Sequence, residues 1–491
     1  MSPAIVAGGA IALCAPLALS RYFPGLDLPF HALAVAAGDV ELPTMTASDG
    51  GWSYLTLYGV GRGLHAVGFG AAAALQIVIA LYVVAFALAA SRLARAFGSH
   101  PAIGLLAAPA AYSVVVSYGF LPYAIALPMA LLLWALVREE RPVASGACAL
   151  LIAITHPLAA AHAALGAAVL LAAQWDRARW QRLAIVGGAV AVAMTPALIA
   201  VLALGSDDAS LPPLLRDASL WERWTAAPRP PLAESLGEAP ARLVWAAPAA
   251  ARAWLVALLL ACAAAMIAIG GRHARRGFGA EAVLAVLAVA YFASPYTLEA
   301  PFVIAIQPRL LPLVWVVALI ALRVAPSPPR VHAVLVPAVL GAVAAAAAVA
   351  ASLAPFGREA DDLHAAIDAS QAGAYTLMLV EQPPAPEDAP ASPWRSAGAY
   401  LMAEKGGHTS HAFFARGGWL PIRRAPDVAV PRAPLPGDPR GFSWERHAAG
   451  WDQFLIRDAD VGARYDYFAG HGEAVELVIE SGRWRLYQRR R

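Results

Sequence analysis

Charge is scarce in this chain: Asp, Glu, Lys and Arg make up 14% of its 491 residues, and long stretches contain none of them. That excludes an ordinary soluble domain, which cannot hide several apolar runs of about 18 to 25 residues from water. Lysine is all but missing, with Lys405 alone, so arginine carries the positive charge, a bias that favours a GC-rich bacterial genome. A formal net charge of +3, scattered over short loops, excludes the concentrated cationic surface that nucleic-acid binding needs. The three cysteines, Cys14, Cys148 and Cys262, all lie inside apolar runs without Cys-x-x-Cys spacing, which excludes a disulfide framework and a thiolate metal site.

What the chain does have is apolar length. Hydrophobic residues make up 60%, and runs near 3–20, 66–91, 101–117, 120–137, 143–155, 158–174, 183–204, 244–270, 280–293, 309–323 and 331–354 predict a helical membrane bundle. That is about eleven helices, each matched to the roughly 30 Å hydrocarbon thickness. The first run lacks the basic n-region of a signal peptide, and Leu13 precedes Cys14 where a lipoprotein signal needs a small residue, so it reads as the first span. Around "ITHPLAAAHA" two readings stand: a tight turn between two short spans, or a proline kink within one long span.

Loop charge sets the orientation. With the N-terminus cytoplasmic, the inside loops are "SRLARAFG", "REERP", "DRARWQR", "GRHARRG" and "LRVAPSPPR", all short and arginine-bearing as the positive-inside rule requires. The opposite face then receives 21–65, 205–243, 294–308 and the tail from about 355. The expected layout is a transmembrane domain over 1–354 and a periplasmic α+β domain over 355–491, in a bacterial inner membrane. In the tail, "AYTLMLVEQ", "WDQFLIRD" and "VELVIESGRWRLYQ" read as strands, the last turning at Ser481 and Gly482, with proline-rich connectors between them.

The first exit from the apolar phase is "FPGLDLPFHA", which sets Asp27 and His31 one helical turn apart, with Asp39 more loosely on the same stripe. On a local reading Asp27 caps a helix, Pro29 sits in its first turn and His31 faces the headgroups. An acidic residue in the first external loop, a helix lying along the membrane there, an odd number of spans and a C-terminal external domain together resemble the GT-C superfamily. These are membrane glycosyltransferases that use polyprenyl-phosphate-linked sugars. "PGLDLPFHALAVAAGDVELP", "GFLPYAIALPMALLLWAL" and "THPLAAAHA" carry the resemblance in the membrane portion, with "HTSHAFFARGGWLP" in the tail.

The resemblance implies an all-α GT-C-like bundle, a polyprenyl-phosphate-linked sugar as donor, a glycan, lipid or protein as acceptor, and no cofactor. It puts a catalytic aspartate at Asp27, with His31 beside it as a further catalytic candidate. Many members carry an Asp-Glu pair there; here Leu28 follows the aspartate, so no paired-carboxylate or metal site is expected. Asp49, in "TASDGGWSY", is the next candidate acid, with Asp39 and Glu41 near the interface.

The chemistry needs few groups. A carboxylate accepts the proton of the acceptor hydroxyl as it attacks the anomeric carbon, and cations steady the departing lipid phosphate. Arg309, in "IAIQPRLLPLVW", opens a span on the external side, where its planar fork suits a phosphate; the alternative is an interfacial anchor. His156, His162 and Glu299 join it as candidate substrate-binding groups, the alternative for His156 being a polar cap for backbone groups freed by Pro157. The tail's His408, His411, His447 and His471 lack ligand spacing and read as surface residues. Two other classes stay open: a transporter or flippase of lipid-linked substrates, opposed by the lack of charge at span centres, and a non-catalytic envelope scaffold.

Overall fold

The computed structural model describes residues 3–47, 54–174, 180–203, 220–271, 279–299, 302–325, 331–381, 393–410, 422–425, 428–435, 438–462 and 464–490. The helices that position the site are, in chain order, α1 (Leu28–Ala36), α2 (Leu55–Ala66), α3 (Leu121–Arg138), α4 (Pro142–Thr155), α5 (Pro157–Ala173), α6 (Ile306–Arg309), α7 (Leu311–Ala321), α8 (Val331–Ala369) and α9 (Gly398–Lys405). Among the described residues four helices are long and apolar enough to cross a membrane: Ala71–Ala96, α3, Ala249–Gly270 and α8. Shorter apolar helices of 10–17 residues accompany them, α4, α5 and α7 among them, and their lengths do not fix the span count at eleven. The chain is a membrane protein, an all-α bundle with a small C-terminal sheet.

Two compact units divide it. The first comprises Met1–Pro16, Ile79–Val116 and Leu121–Ser352; the second comprises Leu17–Val78, Ser117–Phe120 and Leu353–Arg491. In the first, α3 is buried along most of its length, and Pro122 falls in its first turn, where a missing N–H costs little. Both α4 and α5 pack along α3. They are separate helices, because His156 (φ −163°, ψ 119°) is extended, as a residue before proline prefers to be. The 143–174 region is therefore a turn between two helices. Close approach of α3 and α5 requires glycine: a Cβ at Gly166 would overlap the indole of Trp134, whose Nε1 donates to the Ala163 carbonyl at 2.8 Å. Removing a fully buried ring of this size costs about 3–5 kcal/mol.

A short antiparallel hairpin, Thr297–Glu299 with Phe302–Ile304, leads into the single turn of α6 through Ala305, which is left-handed (φ 52°). Pro308 and Pro312 bracket Arg309, so the chain changes helix there, from α6 to α7.

In the second unit, β1 (Tyr375–Val380), β2 (His408–Thr409), β3 (Gln453–Arg457), β4 (Val475–Ser481) and β5 (Trp484–Arg489) form one sheet in the order β2-β1-β3-β5-β4. β1 runs parallel to β2 and β3, while β5 is antiparallel to β3 and β4. The inner strands β1 and β3 are buried on both faces, which is why Leu377, Met378, Leu379 and Val380, and Phe454, Leu455 and Ile456, appear as apolar runs. Leu377, Leu379, Trp451, Phe454, Ile456 and Phe468 form the core beside them.

The first-loop segment packs into this same unit. α1 lies against α9, Met45–Ala47 pairs antiparallel with Ile422–Arg424, and the Gly407 amide donates to the Glu41 carbonyl at 2.9 Å. His408 is buried, its Nδ1 2.8 Å from Thr44 Oγ1 and its ring stacked on Trp451, so it is not the surface residue expected. His411 lies outside the described residues.

Candidate active site

Asp27 occupies the N-cap position of α1, yet its side chain makes no capping hydrogen bond. The main chain fixes its place instead. Leu26 N donates to Ser117 O (3.2 Å) and Asp27 N to Tyr118 O (3.1 Å). Gly119 makes this approach possible: its φ of +83° is left-handed, and a Cβ there would stand 2.7 Å from Asp27 N and 2.8 Å from Leu28 N. Tyr118 and Phe120, stacked at 5.4 Å, flank that glycine.

One turn on, His31 is buried, 5% exposed, and does not face a headgroup layer. A carbonyl only accepts, so His31 Nε2–H donates to Gly119 O (3.0 Å), which leaves Nδ1 to accept from the Tyr58 hydroxyl (2.8 Å). Burial, partly offset by that carbonyl, pushes the imidazole down to about 4, so it is neutral at neutral pH. With both nitrogens engaged, His31 clamps Tyr58 and the Gly119 segment around the Asp27 loop. The Tyr58 hydroxyl is pushed well up, chiefly by burial, with smaller contributions from Tyr54 and the Asp27 charge and an opposing one from Arg62.

In the first unit, Tyr123 gathers three of the residues singled out in the sequence. Its hydroxyl lies 2.8 Å from His162 Nδ1 and donates to the Arg309 carbonyl at 3.1 Å. The Arg309 guanidinium carbon stands 5.6 Å from the Tyr123 ring centroid, a cation–π arrangement. His156 and His162 meet the ring edge-on, at 5.3 and 5.9 Å. All four side chains are buried: Tyr123 is 0% exposed, Arg309 5%, His156 and His162 7% each. His156 is also the cap foreseen for it, accepting from Ala159 N through Nδ1 at 3.4 Å.

Other candidates stand apart. Glu299 is in the hairpin opposite Phe302, Asp39 pairs with His65 (2.9 Å), and Asp49 lies outside the described residues. The sequence reading missed Tyr123, whose signal is a polar aromatic in the first turn of an apolar helix, and Gly119, a glycine between two aromatics. Among the described residues one group could hold a cation: His364, Asp368 and Glu404, with ligand atoms within 4.8 Å of one another. Arg21 already donates to His364 Nε2, and Tyr22 donates to Glu404 Oε1 at 2.6 Å, so the protein supplies its own cation and donor there.

No family model matches the chain, and no curated protein does. Solved structures match it. ArnT from Cupriavidus metallidurans bound to undecaprenyl phosphate aligns with a TM-score of 0.51 at 13% identity, over 98% of this chain and 96% of that one. The same protein in the apo state gives 0.51 and 13%, over 99% and 97%. A mycobacterial arabinofuranosyltransferase, AftD, gives 0.47 at 18% identity, over 99% of this chain and 42% of its own, a score too low to equate folds. ArnT is a GT-C glycosyltransferase, and the alignment runs over nearly the whole of both chains. The fold of this chain is GT-C-like.

Proposed function

We propose that the chain is a membrane glycosyltransferase that moves a sugar from a polyprenyl-phosphate donor to an envelope acceptor on the external face. The observation that carries this reading is the Arg309 cluster: a guanidinium 5% exposed, with two imidazoles on the same tyrosine, in a fold shared with a protein solved with undecaprenyl phosphate. A cation buried in an apolar bundle is costly, and such groups mark substrate sites by default. The planar guanidinium fork can hold two oxygens of a phosphate.

Asp27 is the proposed base, for its place in the first loop, where the resemblance in the sequence puts a catalytic aspartate. The acceptor oxygen attacks the anomeric carbon, the bond from that carbon to the phosphate oxygen breaks, its electron pair leaves with polyprenyl phosphate, and the hydroxyl proton passes to Asp27. Direct displacement inverts the anomeric centre. His31 positions the Asp27 loop, and Asp49 is the alternative base. Arginine-bearing short loops support a cytoplasmic N-terminus and a periplasmic domain over 355–491.

The test is transfer from a panel of polyprenyl-phosphate sugars by purified full-length protein. Asp27→Asn is expected to lower transfer at least about 100-fold while donor binding stays within about twofold. A correctly inserted, fully active Asp27→Asn protein removes Asp27 as the base. If no donor is used at all, the scaffold reading gains.

A further inference from the structure

We infer that Tyr123 is the positioning residue of the lipid-phosphate site, holding Arg309 by its backbone and its side chain at once. The inference rests on reading Arg309 as the phosphate ligand. The Tyr123 hydroxyl has one hydrogen and two neighbours, Arg309 O at 3.1 Å and His162 Nδ1 at 2.8 Å. A carbonyl cannot donate, so the hydrogen goes to Arg309 O, and His162 Nδ1 must carry a proton and donate to the hydroxyl oxygen. That fixes the tautomer of His162 and leaves Nε2 as the nitrogen of that ring that can address a ligand. The ring face of Tyr123 meanwhile attracts the guanidinium, whose carbon is 5.6 Å from the centroid.

The geometry has a purpose that packing alone does not need. Arg309 sits between Pro308 and Pro312, where the chain changes from α6 to α7, and its carbonyl accepts a hydrogen bond from outside both helices. Tyr123 supplies that hydrogen bond from α3 and, with the same ring, limits where the fork can point. It also touches His156 edge-on, so one residue sets three groups around one place. An anion bound there meets a preorganised arginine, which is what makes a phosphate site selective as well as basic.

The experiment measures binding of undecaprenyl phosphate and of undecaprenol, the same chain without the phosphate, to full-length protein in nanodiscs. Tyr123→Phe keeps the ring and loses the hydroxyl; it is expected to weaken undecaprenyl phosphate about fivefold. Tyr123→Leu loses both holds and is expected to weaken it at least about 30-fold. Undecaprenol affinity is expected to stay within about twofold in both, because the chain contacts are untouched. Equal weakening for the two lipids overturns the inference and leaves Tyr123 as packing. So does Tyr123→Leu with unchanged phosphate affinity while Arg309→Gln loses it, an outcome that leaves the Arg309 reading intact. Arg309→Gln without effect on the phosphate preference overturns both. If Tyr123→Leu does not fold, Tyr123→Phe decides alone.

Discussion

The amide of Asp27 donates to the carbonyl of Tyr118 at 3.1 Å, and the next residue, Gly119, lies so close that a Cβ would stand 2.7 Å from that same amide. The candidate base is thus set in place by a segment far along the chain. Gly119→Ala adds both an overlap and a left-handed alanine, a strain of about 1–3 kcal/mol. The loop holding Asp27 is expected to shift, with transfer falling at least about tenfold and donor affinity little changed. Transfer rates and donor binding on the purified variant check this; full activity in Gly119→Ala would separate the position of Asp27 from the reaction.

His31 makes stability depend on pH. Its folded value of about 4 lies below the unfolded value of about 6.5. Above 6.5 neither state takes the proton and the contribution is fully present. Between 6.5 and 4 the unfolded chain binds a proton that the native state refuses, so stability falls as pH drops, by about 3 kcal/mol in all. His31→Gln can still donate to Gly119 and accept from Tyr58 but cannot titrate. Thermal midpoints of the two proteins from pH 7.5 to 4.5 are expected to converge as pH falls; parallel curves would show that His31 does not titrate as its burial implies.

Much of this was legible in the sequence, for identifiable reasons. Apolar runs of bilayer length and the strand segments of the tail, one of them turning at a glycine, announce a bundle and a sheet, since helices that meet lipid or core and strands buried on both faces leave little room for charge. Arg309, His156 and His162 were visible because ionisable groups near apolar runs stand out. Tyr123 was not, because a tyrosine in an apolar helix ordinarily needs only one hydrogen-bond partner. Gly119 was hidden too, since its reason is a backbone contact with Asp27 that leaves no local mark. His408 was misread for the same cause: its partner Thr44 belongs to the first loop, and nothing in either segment names the other.

Orientation can be checked by fusion. Alkaline phosphatase joined after about residue 360 is expected to be active, because every arginine-rich short loop falls on the opposite side. Activity of a cytoplasm-dependent reporter at the same junction instead would reverse the tail. The error would then lie among the shorter apolar helices, since the turn at His156 separates α4 from α5.

The tail was expected to stand alone, and the structure sharpens what should happen when it is expressed as 355–491. The sheet keeps its own core of Leu377, Phe454, Ile456 and Phe468. α9 does not keep its cover. Tyr22, fully buried, stacks on Tyr400 at 4.1 Å and donates to Glu404 at 2.6 Å, while Glu41 accepts from Gly407 at 2.9 Å. Removing the first loop exposes Tyr400 and takes from Glu404 its tyrosine donor, leaving it His364 at 3.4 Å, and each apolar side chain uncovered costs about 1.5–3 kcal/mol. Limited proteolysis of the isolated tail is expected to cut first within 393–410, leaving β3, β4 and β5 as a resistant fragment. Tyr22→Ala in the full chain is expected to open the same stretch, with a stability loss of about 3–5 kcal/mol. Protection of α9 in the isolated tail equal to that in the full chain would show that the first loop is not what holds it.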